Sequence, residues 1–246
     1  MTHARAATLF AALTFAATTA LAAEIRVLSA AAVKGPLTET AAAFERETGN
    51  RVTFEFTTAG QVASRVAAGE RPDIVINARA RLDPLAANGR GSVRDLGTVR
   101  VGVAVRAGTP KPDISTVDAF RASLLAAQSV AYTNPAAGGT AGTYFAGVLD
   151  RLDIADAMAS KRRLAADGLD VMRKIQSGEA ELGITQVSEI LHVDRGTFAG
   201  PLPDALQLRT TYAAFVANDA DPAARALAVA LTSDAGRARF RAAGFE

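Results

Sequence analysis

Asn134-Pro135-Ala136-Ala137-Gly138-Gly139-Thr140-Ala141-Gly142-Thr143-Tyr144-Phe145 lies between the apolar run Ser129-Val130-Ala131-Tyr132 and a helical pattern of Tyr144, Phe145, Val148, Leu149 and Leu152. Strand, glycine-rich turn and helix start follow one another here. That geometry aims backbone N–H groups at an anion. It also marks the chain as α/β, because a strand feeding a helix through a short turn is the repeating unit of that class.

Outward from this stretch the same order recurs. Toward the N-terminus, strands are expected at 25–29, 52–56 and 73–77, with helices at 36–47, 61–68 and 80–87. Gly49-Asn50, Gly69 and Asn88-Gly89 close these helices. The alternation implies parallel pairing, with ligand sites beyond the carboxyl ends of strands. A long apolar strand is expected at 99–105. A helix follows the cap-like Ser115-Thr116-Val117-Asp118. Helices at 141–152 and 168–177, strands at 181–185 and 206–216, and helices at 221–231 and 233–242 complete the pattern. Two α/β lobes are expected, joined by crossings near 101–107 and 205–216. Residues 23–103 plus 208–246 form lobe I and 104–207 form lobe II. No repeat of fixed period is visible.

Residues 1–22 read as a signal peptide. Arg5 supplies a basic start, Ala6 to Leu21 is uncharged and apolar, and Ala20-Leu21-Ala22 is a small-x-small cleavage site. No Cys follows that run, which excludes a lipoprotein anchor. The mature chain is therefore expected in the periplasm. Lys+Arg 27 against Asp+Glu 25 is nearly balanced and interspersed, which argues against nucleic acid.

The inventory for catalysis is thin. The chain has no cysteine and two histidines, of which His3 leaves with the leader. His192 stands alone and is expected away from the cleft. Zinc sites of the usual type, P-loops and nucleophile elbows are absent from the sequence. Paired carboxylates remain open. The expectation is a non-enzymatic chain with no metal and no cofactor. An exported hydrolase using scattered carboxylates and His192 is the contrasting alternative.

Binding fares better. Three strand-to-helix loops carry small residues with free N–H groups: Ser29 to Val33, Thr57 to Gln61, and Gly138 to Ala141. Candidate ligand contacts in these loops are Ala32, Val33, Thr58, Ala59, Gly60, Gln61, Gly139, Thr140 and Ala141, with Arg79, just past the third strand, as a charge for a larger ligand.

Several phrases in order resemble a known family: Val27-Leu28-Ser29-Ala30-Ala31-Ala32-Val33, Ala41 to Gly49, Ala67 to Val75, Ala141-Gly142-Thr143-Tyr144, Gly178 to Ile184 and Ala238 to Phe245. Together they are similar to the type II periplasmic solute-binding proteins of ABC importers, nearest the molybdate-binding branch. The resemblance spans nearly all of the mature chain. It implies two lobes, each a mostly parallel sheet flanked by helices, closing by a hinge on a ligand in the cleft. It further implies a monomer that passes its ligand to permease subunits in the inner membrane.

By position, the family's two site serines fall on Ala32 and Ala59, and its backbone donors on Ala141 and near Gly168. Its tyrosine falls on Gln186, which the resemblance thereby adds to the candidate ligand contacts. Three hydroxyl donors are thus replaced. At about 1.5–3 kcal/mol each, their loss removes roughly three to six decades of affinity. The expected ligand is therefore a small anion, with an organic carboxylate favoured over molybdate. A molybdate or tungstate binder with a rebuilt donor set is the alternative.

Overall fold

A computed structural model of the chain describes residues 22–246. The signal-peptide expectation for 1–22 falls, except for Ala22, outside the described residues. In chain order the elements are β1 (Glu24–Ala30), α1 (Lys34–Thr48), β2 (Arg51–Thr57), α2 (Ala59–Ala67), β3 (Ile74–Ala78), α3 (Arg79–Ala87) and β4 (Gly91–Val105). Next come α4 (Val117–Ala126), β5 (Val130–Thr133), α5 (Thr140–Arg151), α6 (Ala155–Met158), β6 (Arg162–Ala165), α7 (Gly168–Ser177) and β7 (Leu182–Gln186). The chain ends with α8 (Val187–Val193), β8 (Phe198–Pro201), β9 (Arg209–Ala217), α9 (Pro222–Thr232) and α10 (Asp234–Ala242).

The strand order is β2-β1-β3-β9-β4-β7-β5-β6, with β8 also paired to β4. β1 runs parallel to β2 and β3, and β5 runs parallel to β6 and β7. These are the strands whose connections contain helices, as parallel pairing requires. β9 returns antiparallel to β3 and β4, and β4 is antiparallel to β7 and β8.

β4 serves two sheets. From Gly91 to Arg100 it pairs with β9, and from Val101 to Val105 it pairs with β7. Its first half, 91–98, is missing from the sequence expectation because Arg94, Asp95 and Gly97 interrupt the apolar pattern. A bulge between Asp95 and Gly97 accounts for the break, and Gly97 takes φ 146° there. The expected sequence also passes straight from the helix at 141–152 to the one at 168–177. The structure inserts α6 and β6 between them.

Each sheet buries both faces. On the first sheet, Leu37, Phe44, Leu227 and Phe240 cover one face, and Val62, Leu82 and Phe215 lie on the other. On the second, Phe120, Phe145 and Leu149 oppose Val171, Met172 and Ile175. Two-sided burial explains why β3 and β7 read as unbroken apolar runs. Helix starts follow the sequence signals. Thr58 caps α2 by accepting from the Gln61 N–H at 3.2 Å, Thr116 caps α4, and Asp167 caps α7.

Candidate functional site

The carboxyl ends of β1, β2, β5, β6 and β7 meet between the sheets and enclose a cavity of about 30 Å³. Its lining is Ala30, Ala31, Ala32, Thr57, Thr58 and Ala59 from the first side, with Tyr212 from β9. Thr133, Gly139, Thr140, Ala141, Asp167, Gly168, Thr185, Gln186 and Glu189 come from the second. Ala59, Thr140 and Gly168 are the first residues of α2, α5 and α7. Three helix N-termini therefore face one small space, which favours negative charge there. Larger surface concavities of about 740 and 730 Å³ lie elsewhere, beside Gly69–Asp73 and beside Arg106–Pro112. Neither contains an unpartnered buried polar side chain.

The cleft contains several. The Thr140 hydroxyl and both amide atoms of Gln186 are buried without a hydrogen-bond partner. Gln186 is 2 % exposed. Leaving such groups unsatisfied costs about 1–3 kcal/mol each, so they mark this space as the candidate position for a hydrogen-bonding ligand. Tyr212 lies close to both without meeting hydrogen-bond geometry, and burial pushes its phenol upward. It stays protonated as a donor.

Glu189 is the charged member of the second wall most deeply buried, at 5 % exposure. Burial pushes its carboxyl up to about 7, reinforced by Asp167 and opposed by the Thr185 hydroxyl and the Gln186 N–H. Thr185 donates to Oε2, and Gln186 N–H reaches the same oxygen at 3.3 Å. Gly168 lies flush against this carboxyl; a side chain there would overlap it.

The cleft is shut by direct contact between its walls. Gly60 N–H donates to Gly138 O at 3.0 Å, and the Thr58 hydroxyl donates to Ala137 O. A Cβ on Gly60 would stand 2.8 Å from the Gly138 Cα, and Gly138 takes φ 72°. Only two glycines can meet this closely. On the other side the Ser188 hydroxyl donates to Ala32 O at 2.6 Å.

Of the candidates, Ala32, Thr58, Ala59, Gly139, Thr140, Ala141 and Gln186 line the cavity. Val33 is buried in the apolar core behind it. Gly60 belongs to the closure seam. Gln61 is exposed and takes a hydrogen bond from the Thr57 hydroxyl. Arg79 is a correction: its guanidinium pairs with Asp83 at 2.5 Å and Asp95 at 2.6 Å, is 40 % exposed, and is not among the residues lining the cavity. An exposed arginine with two acid partners at a helix start gains nothing by turning inward. His192 is exposed and packs beside Gly35, outside the cavity as expected.

Glu189 and Tyr212 were not among the candidates. Glu189 is the one acid within the apolar run Val187 to Leu191, a signal visible in the sequence. Tyr212 looks like a core residue of a returning strand, and only the topology brings it to the cleft. Among the described residues no group of three His, Asp or Glu is placed to hold a metal ion. No described helix is long and apolar enough to cross a membrane.

Known proteins agree with this architecture. The periplasmic molybdate-binding protein of Azotobacter vinelandii superposes with a TM-score of 0.70 at 19 % identity, covering 90 % of this chain and 98 % of its own. PEB3 of Campylobacter jejuni, solved with L-phospholactate, superposes with a TM-score of 0.66 at 13 % identity, covering 90 % and 99 %. The chain thus has the two-lobed α/β fold of periplasmic binding proteins.

An aconitate isomerase from a Pseudomonas species is 36 % identical over 244 residues, 92 % of this chain and 91 % of that protein. This relative overturns the expectation of a non-enzymatic chain. The inference from missing Cys and His fails on physical grounds too, since a buried carboxyl held near neutrality is itself an acid–base group. The model of the bacterial extracellular solute-binding proteins matches residues 25–246. From strand β1 to the final residue, this chain belongs to the bacterial extracellular solute-binding protein family.

Proposed function

We propose that this chain is a periplasmic protein that captures an organic carboxylate of the aconitate class between two hinged lobes and isomerises it there. The carrying observation is the set of unpaired buried groups of Thr140 and Gln186 at the convergence of three helix N-termini. Carboxylate oxygens match these donors. The 36 % identity to an aconitate isomerase supports both the ligand class and the reaction.

The closed cavity suits one carboxylate group. The rest of a polycarboxylate is accommodated with the lobes further apart, so entry, reaction and release follow lobe movement. No Lys or Arg lines the space among the described residues. Ligand charge is met by helix ends and neutral donors. Membership of the solute-binding family supports a further role in delivery to permease subunits of an ABC importer.

A second reading is capture of a compact oxyanion such as molybdate. The small closed volume and the likeness to a molybdate-binding fold favour it. Alanines at 32 and 59 weigh against it. Proton NMR of the purified chain with cis-aconitate and with trans-aconitate tests the proposal. Interconversion from both sides to one common ratio is expected. Absence of conversion, with calorimetric binding of molybdate alone, would replace it with the second reading.

A further inference from the structure

Moving a carbon–carbon double bond within an unsaturated carboxylate requires a group that takes a proton from one carbon and returns it to another. Glu189 is the residue placed for this. Both hydrogen bonds from Thr185 and Gln186 land on Oε2, and Oε1 accepts none among the described residues. Oε2 is thereby held, and Oε1 remains without a partner on a residue that lines the cavity. Gly168 allows the carboxyl to lie against the first turn of α7, which orients it further.

We propose that Glu189 is the proton carrier of the site, a role that rests on the isomerase reading above. In the anionic form, the Glu189 carboxylate removes a proton from the methylene between the double bond and a ligand carboxylate. The C–H pair becomes the new double bond, and the original double-bond pair moves onto the far carbon, where it will form the new C–H bond. Negative charge spreads onto the ligand carboxylates, which face Thr140, Gln186, Tyr212 and the N-termini of α2, α5 and α7. Glu189 then returns its proton to the far carbon of the three-carbon unit. One C–H bond breaks, one forms, and the double bond has moved, with no oxidant, reductant or cofactor consumed.

The surroundings tune the group for both halves of this step. Burial and Asp167 hold the carboxyl close to neutrality, where a proton is taken and given with similar ease. The titratable groups facing it are Asp167, at the cap of α7, and Tyr212, from β9. The other lining residues are Ala, Gly, Thr and Gln, which carry no charge.

Steady-state kinetics on the full mature chain with cis-aconitate test this. Glu189→Gln is expected to lower kcat by about 100- to 10,000-fold with KM within about fivefold, because the isostere keeps the Thr185 bond but carries no transferable proton. Glu189→Asp is expected to restore part of the rate with its ionisation limb displaced. The unaltered chain should show an ionisation limb in kcat/KM near pH 7, where the ligand-free carboxyl ionises. Glu189→Gln with kcat within tenfold of the parent would overturn the assignment while leaving the isomerase reading intact. A parent chain that binds aconitate without turning it over would overturn both. Should Glu189→Gln fail to fold, the parent's pH profile decides, and a flat kcat/KM across that region rejects Glu189.

Discussion

The wall of the cleft built on β1 and β2 presents Ala30, Ala31, Ala32 and Ala59 with Thr57 and Thr58, whereas the facing wall presents Thr133, Thr140, Asp167, Thr185, Gln186 and Glu189. On the first wall the hydroxyls are already committed: Thr57 to Gln61, and Thr58 to Ala137. On the second, Thr140 and Gln186 hold unspent hydrogen-bonding capacity in a buried setting. One wall supplies backbone and a helix end. The other supplies the side chains to which the proposed discrimination and reaction are assigned. On that proposal the chemistry is concentrated on one half of the cleft.

This asymmetry is open to attack in order of expected effect. The largest concerns stability. The folded state raises Glu189 to about 7 from 4.5, so the folded chain binds more protons than the unfolded chain between those values. Stability is then full below about pH 4.5 and declines as pH rises toward and past 7, by about 3 kcal/mol in all. Glu189→Gln removes that loss. Its urea midpoint is expected to exceed that of the parent at pH 8 and to gain nothing at pH 4.5. Equal pH dependence in both proteins would show that Glu189 carries no buried charge.

Next in size are Thr140→Ala and Gln186→Ala. On the proposed binding mode each would remove a hydrogen bond to a charged ligand, worth about 1.5–3 kcal/mol, so roughly a 10- to 150-fold rise in Kd is expected by calorimetry. Thr57→Val on the opposite wall should change Kd far less. Comparable losses from both walls would erase the distinction.

Gly60→Ala probes the seam. Its Cβ meets backbone, which cannot step aside as a flexible side chain does. Overpacking of about 1–3 kcal/mol falls on the closed state alone. Apparent affinity is expected to drop about 5- to 100-fold with little change in unfolding midpoint. Arg79→Ala should leave Kd unchanged within twofold, because its partners are Asp83 and Asp95. A larger change would return it to the site.

Much of the fold was legible because each strand carries its own signal. Ile74 to Ala78 is buried throughout, and an uninterrupted apolar run shows that. The start of α7 at Gly168 and the cap at Thr116 follow from local chemistry. β6 escaped notice because Arg162-Arg163-Leu164-Ala165 lies at a sheet edge with little burial, so no periodicity marks it. The backbone half of the cleft was likewise visible in three small-residue loops. Tyr212 was not, since its place depends on β9 returning between β3 and β4, a pairing across more than a hundred residues. Arg79 misled for the opposite reason. Its position after a strand is right for a site, but Asp95, sixteen residues away, claims it.

The meeting of Gly60 and Gly138 has a practical use. Gln61 and Ala136 stand exposed on either side of it, and the chain contains no cysteine. A cysteine introduced at each of these two positions would accept a fluorophore pair without competing thiols. Opening of the seam would then read out as a change in energy transfer, turning the protein into an optical sensor for whatever anion closes it.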